Sequence, residues 1–150
     1  MKRAWPHLLI LSLCLFLSLP IVADANSVPE AARANGFIAM APSPMNWNDA
    51  VAWCKQQGGR LPRINNSDSL ADNNIWDSAA NKFLPDTRID GFGKPGRPWS
   101  EVGLATAIYW TGTVRSGIQG GLWIVNGING RLVDINASHQ SFDFRVVCVP

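Results

Sequence analysis

Histidine is nearly missing from this chain, with two in 150 residues, His7 and His139. That excludes a histidine-built zinc centre, which draws most of its ligands from imidazole and thiolate. Cysteine is as scarce, with three residues, and tyrosine occurs once. Charged side chains make up only 16% of the residues and nearly cancel, leaving +2. A balance so even lacks the basic excess that marks a nucleic-acid-binding domain. No apolar run after the first 20 residues approaches the roughly 20 needed to span a bilayer. There is no internal repeat and no G-x-S-x-G nucleophile turn. "GFGKPG" (91–96) shares only composition with a phosphate loop, because it lacks the lysine-serine/threonine ending and a following helix.

What is present begins with an export signal. Lys2 and Arg3 precede an apolar run from Leu8 to Leu19, Pro20 ends it, and Ala23-Asp24-Ala25 offers small residues where signal peptidase reads. This pattern predicts a signal peptide over residues 1–25, cleaved after Ala25. Cys14 is not a lipid-attachment cysteine on this reading, because Leu13 stands where a small residue is required and the position is too early. The remaining chain, Asn26 to Pro150, suits one domain. Losing Lys2, Arg3 and Asp24 leaves 11 basic and 10 acidic residues. Two cysteines remain, Cys54 and Cys148. An exported chain with an even cysteine count reads as disulfide-bonded. The rival, a reactive or metal-binding thiol pair, has no histidine nearby to support it.

Hydrophobic spacing places the elements. Phe37–Met40 reads as a short strand stopped by Pro42 and Pro44. Trp47, Ala50, Val51 and Cys54 fall at i, i+3, i+4 and i+7, one face of a helix. Asn46 caps it, Asp49 sits at the capping-box position, and Gly58-Gly59 ends it. A second, weaker helix is expected from Ser67 to Ala80, with Leu70, Ile75 and Trp76 as its apolar contacts. Residues 81 to 108, rich in proline and glycine, read as a long irregular loop, and loops of that length are usually functional or disordered. Strands follow at 108–111, 122–125, 131–135 and 144–149, with Asn129-Gly130 as a hairpin turn signal. Helices first and an antiparallel sheet after give an α+β expectation.

"MNWNDAVAWCKQQGGRLP" (45–62), "YWTGT" (109–113) and "GLWIVNGINGRLVDIN" with "RVVCV" (121–149) together resemble the C-type-lectin-like domains. The resemblance is closest to the bacterial adhesin branch: the carboxy-terminal domains of intimin- and invasin-type proteins and of glycosaminoglycan-binding collagen-like adhesins. It covers most of the chain after residue 26 in outline and is poor between about 65 and 108. It implies a C-type-lectin-like fold of two helices and a small antiparallel sheet with a long irregular loop, and a Cys54–Cys148 disulfide. Calcium-dependent members carry Trp-Asn-Asp on the strand before the last cysteine. Here Trp47-Asn48-Asp49 opens a helix instead, and the long loop offers only Leu84-Pro85-Asp86. Calcium takes six to eight oxygen ligands, whereas Asp86, Asp90 and Glu101 are scattered. No metal and no cofactor are expected. The formylglycine-generating oxidases share this scaffold but need a free cysteine pair, which argues against an enzyme here.

Candidate ligand-binding residues follow from the loop. Arg88, Lys94, Arg97 and Arg115 would meet sulfate or carboxylate if they converged, arginine doing so bidentately; otherwise they are a solvated surface. Trp99 beside Arg97 would stack on a sugar ring or anchor a protein contact if exposed, and is a core satellite if not. Trp47, Trp53, Trp76, Trp110 and Trp123 are assigned to core or near-core positions. His139, with Asp134, Asp143, Ser138 and Ser141 around it, lacks the oxyanion features of a hydrolase. Asn65 and Asn136 head N-x-S sequons, of no consequence in a bacterial export path. The sequence therefore predicts an exported, adhesin-like binding module, in the periplasm, on the surface or secreted. Its partner would be a glycan, with an anionic one favoured, or a host or envelope protein, bound without calcium through residues 81–120. The alternative is an accessory subunit of a surface or periplasmic assembly that binds a protein partner.

Overall fold

The structure, a computed structural model, describes residues 27–136, 139 and 141–150. The expected signal peptide with Cys14, and Ser138, lie outside the described residues. The described chain runs α1 (Glu30–Ala34), β1 (Ala39–Met40), α2 (Trp47–Gln56), β2 (Ser69–Leu70), β3 (Trp76–Asp77), β4 (Lys82–Phe83), β5 (Ile108–Arg115), β6 (Leu122–Asn126), β7 (Arg131–Ile135) and β8 (Val147–Cys148). Short 3-10 turns occupy Asp72–Asn74 and Trp99–Val102.

α2 forms for the reasons its sequence states. The Asn46 side chain accepts from the Asp49 amide at 3.0 Å, and its own amide donates to the Asp49 carboxylate at 2.6 Å. One orphan donor of the first turn is satisfied, and Asp49 is held at the positive end of the helix. Gly58, at φ +80°, lets the chain leave. Ala50 and Cys54 are fully buried on the inner face, and Cys54 is bonded to Cys148 across 94 residues of chain.

The main sheet has the order β2-β5-β6-β7, with β2 parallel to β5 and the other pairs antiparallel. β1 with β8 and β3 with β4 make two further two-stranded sheets. Along β6 the side chains alternate between two cores. Leu122 and Ile124 pack with Trp110, Ala50, Cys54 and Leu61 on the α2 side. Trp123 and Val125 pack with Tyr109, Trp99, Phe92 and Ile64 on the other. Both faces of this sheet are covered, and the second cover is the irregular segment from 64 to 104.

The α+β, C-type-lectin-like expectation of two helices and a small antiparallel sheet is therefore corrected. The protein is mostly β: two short helices, a four-stranded mixed sheet and two smaller sheets. The helix expected over Ser67–Ala80 is absent. Ser69–Leu70 pairs with Val114–Arg115, and Trp76–Asp77 pairs with Lys82–Phe83. Leu70, Ile75 and Trp76 are spaced by five and six, which no helical face matches. Serine, aspartate and asparagine fill the gaps and bond their own backbone: Ser67 Oγ donates to the Ser69 carbonyl, and Asp77 accepts from the Ala79 and Ala80 amides. The five-residue α1 precedes the first element expected from sequence, and Ala32 seats it in the core.

Candidate ligand-binding site

The loop residues singled out from sequence do not converge. The Arg88 guanidinium donates to the Pro85 and Thr87 carbonyls, each at 2.8 Å, and its amide bonds Asn65. It fastens its own turn. Arg97 is paired with Glu101 in the next turn of chain, at 2.7 Å. Lys94 is exposed, and it lines a shallow recess with Phe83, Leu84, Pro85 and Thr87. Arg115 sits apart, on β5. Trp99 is 2% exposed, stacked on Phe92 and tilted against Tyr109. As a ring for a sugar to stack on, Trp99 is ruled out: it is the centre of the aromatic core beneath the loop.

Arg115 marks the most developed site. Its guanidinium spans Asp72, in the turn after β2, and Asp134, on β7, one carboxylate on each terminal nitrogen. It also lies over the Trp123 ring, 5.9 Å from the centroid. Beside this bridge opens a cleft of about 220 Å³ lined by Asp72, Trp76, Phe83, Trp123, Arg131 and Asp134. Two elements make its walls. One is the small β3–β4 hairpin, whose Trp76 and Phe83 rings meet edge to face at 4.9 Å. The other is the edge strand β7, whose Leu132 is buried while Arg131 and Asp134 are exposed.

The hairpin places its two rings because of its turn. The Asp77 side chain accepts from two turn amides, and Asn81 takes a left-handed φ of +51°, which asparagine tolerates better than most residues. Trp76 and Phe83 then stand opposite one another in register. Both are half-buried, so part of each apolar surface is open to the cleft.

The polar inventory is specific. Asp72 and Asp134 each give Oδ2 to Arg115, and each Oδ1 has no partner among the described residues. The Arg131 guanidinium and the Trp76 indole N–H also lack partners among the described residues; only the Arg131 backbone amide is bonded, to Asn129. Two acceptors and two donors without partners among the described residues thus belong to residues that line the cleft, beside two partly exposed rings. Among the described residues no three histidine, cysteine, aspartate or glutamate side chains cluster as metal ligands would.

Sequence reasoning placed Trp76 and Trp123 at core or near-core positions, where they lie, and missed the cleft. Trp123 is indeed only 4% exposed, contributing an edge, with its indole N–H on the Leu70 carbonyl. The signal for Trp76 was the run "WDSAANKF", in which a turn-forming aspartate and asparagine separate two aromatics. No family model matches the chain, and neither does any curated protein or solved structure.

Proposed function

We propose that the protein is an exported, adhesin-like binding module that recognises a glycan in the Trp76–Phe83–Asp134 cleft, without calcium. The observation that carries this reading is the half-open pair of rings framed by unpartnered acceptors and donors. Sugar rings present an apolar C–H face and a rim of hydroxyls that both donate and accept. A site for them needs an aromatic platform with polar groups of both kinds at its edge. The resemblance of residues 45–62, 109–113 and 121–149 to bacterial adhesin domains, and the export signal, point the same way.

The accessory-subunit alternative has less behind it. The exposed apolar side chains do not form one patch: Ile118 and Ile128 occupy the turns at opposite ends of β6. Among the described residues no helix is long and apolar enough to cross a membrane. The test is a glycan array probed with the oxidised protein, with calcium and then with chelator. Binding that survives chelator and is lost in Trp76→Ala supports the reading. Binding that vanishes with chelator, or that Trp76→Ala leaves intact, refutes it.

A further inference from the structure

We infer that the glycan this cleft selects is uncharged, and that Asp72 and Asp134 are its specificity-determining residues. The inference rests on the glycan reading above and narrows it against an anionic ligand such as a sulfated or uronic-acid chain.

The argument is one of charge and hydrogen-bond capacity. An anionic glycan needs cations that are free to meet it, arranged so that arginine can engage bidentately. Three of the four basic residues singled out in the sequence are committed elsewhere, Lys94 lines a different recess, and the cleft itself offers one unpartnered cation, Arg131, against two carboxylates. Arg88 is spent on two backbone carbonyls, Arg97 on Glu101, and Arg115 on two carboxylates at once. Asp72, Asp134 and Arg131 in the cleft, with Arg115 beside it, sum to zero. Both carboxylates lie further out than the guanidinium they share: their side chains are 49% and 41% exposed, while Arg115 is 20% exposed. A sulfate entering here meets carboxylate oxygens before it meets the guanidinium that balances them.

A neutral sugar meets the same groups favourably. Its hydroxyls donate to the free Oδ1 of Asp72 and of Asp134, and accept from Arg131 and from the Trp76 indole. Hydrogen bonds to an ionised acceptor are the stronger kind. The ion pairs to Arg115 hold both carboxylates in place without using up their second oxygens. A volume of about 220 Å³, below the roughly 300–1,000 Å³ of pockets that enclose a whole ligand, fits one ring of a chain whose neighbours stay in solvent.

The experiment measures affinity of the oxidised, full exported chain for neutral hexose and N-acetylhexosamine oligosaccharides and for heparin. Salt is varied, and Asp134→Asn, Trp76→Ala and Arg131→Ala are compared with the native protein. Folding is checked by circular dichroism, and Arg131→Ala, on an exposed edge, serves if Trp76→Ala fails to fold. The expected result is a neutral oligosaccharide bound with less than about a twofold change between low and high salt, since no ligand charge is there to be screened. Asp134→Asn then weakens it about tenfold, which corresponds to roughly 1.4 kcal/mol. Heparin binding that Trp76→Ala abolishes and Asp134→Asn strengthens would overturn the neutral-ligand inference and leave the glycan reading standing. A neutral glycan bound with full affinity by Asp134→Asn overturns the role given to that carboxylate. No binding to any of these probes removes the glycan reading itself, and this inference with it.

Discussion

Tyr109 is the only tyrosine in the chain, so its ionisation is a site-specific probe of how the loop segment closes over the sheet. Its ring is 1% exposed, tilted against Trp99, and its hydroxyl donates to the Ala105 carbonyl at 2.8 Å. Burial pushes the hydroxyl up to about 12 from its ordinary 10, and the nearby Arg145 guanidinium acts in the opposite direction. The sign follows from linkage. The folded state holds the proton more tightly than the unfolded state, so this contribution is fully present below pH 10. It is lost as pH rises through 12, because the unfolded chain ionises first. Two units correspond to a loss on the order of 2–3 kcal/mol. Tyrosinate absorbance in native buffer should show a midpoint near 12, and near 10 in denaturant, while urea midpoints fall between pH 10 and 12. Trp99→Ala, which opens the stack, should bring the native midpoint down towards 10. A native midpoint already near 10, with circular dichroism still folded, would mean the hydroxyl is hydrated and the aromatic core does not close as described.

Three further outcomes are expected. Replacing Cys54 and Cys148 together by alanine frees a loop of 94 residues and should lower the urea-unfolding free energy by about 4–5 kcal/mol in the chain-entropy model; a loss below about 1 kcal/mol would show that the bond constrains little. Thr113→Val should cost about 2–3 kcal/mol, because the Thr113 hydroxyl accepts from the fully buried Ile64 amide at 2.9 Å and donates to the Ser67 carbonyl at 2.7 Å; an unchanged denaturation midpoint would contradict that. Gly130→Ala should destabilise by at least about 1–2 kcal/mol from the left-handed backbone alone, since Gly130 has φ +66° and a Cβ there would run into the Arg97 backbone; a stability equal to the native protein's would place the β6–β7 turn away from residue 97.

The parts legible in the sequence are those whose signal is local. α2 carries its cap, its face and its terminating glycine within 14 residues; the cap and the glycine function as read, while of the face Trp47, Ala50, Val51 and Cys54 only Ala50 and Cys54 are buried and Val51 is exposed. The strands from 108 to 135 follow from their β-branched and aromatic runs. The continuous apolar stretch Leu122–Val125 held more than a strand, however. A strand apolar on both faces needs two covers, and only α2 was visible as one. The other cover, residues 64–104, has almost no regular structure and no period to read. It is held by scattered bonds: the Asp90 amide to the Arg63 carbonyl, Arg60 to Asp90 at 2.6 Å, and the Trp99 amide to the Gly127 carbonyl. The cleft was hidden for the same reason. Asp72 and Asp134 are 62 positions apart, one in a turn and one on β7, and among the described residues Arg115 reaches from β5 to join them.

That arrangement bears on where a binding surface can exist in this fold. Because the central strand is buried on both sides, a ligand has to bind where a cover ends. One such seam lies against the edge strand β7, where the Trp76–Phe83 hairpin stands, and another, of about 330 Å³, lies between α2 and β5. The disulfide joins α2 to β8 and lies in the other core, so it stiffens the scaffold without bordering the cleft. The ion pairs of Arg115 are partly solvent-exposed, and exposed pairs contribute only about 0–1 kcal/mol each to stability. Substitutions at Asp134 and Arg131 should therefore alter recognition far more than folding. The two properties separate in a direct comparison: Asp134→Asn should keep its urea midpoint close to that of the native protein while its glycan affinity falls. An affinity that falls only in step with stability would mean that the Asp72–Arg115–Asp134 bridge is scaffold, and that the cleft beside it is incidental.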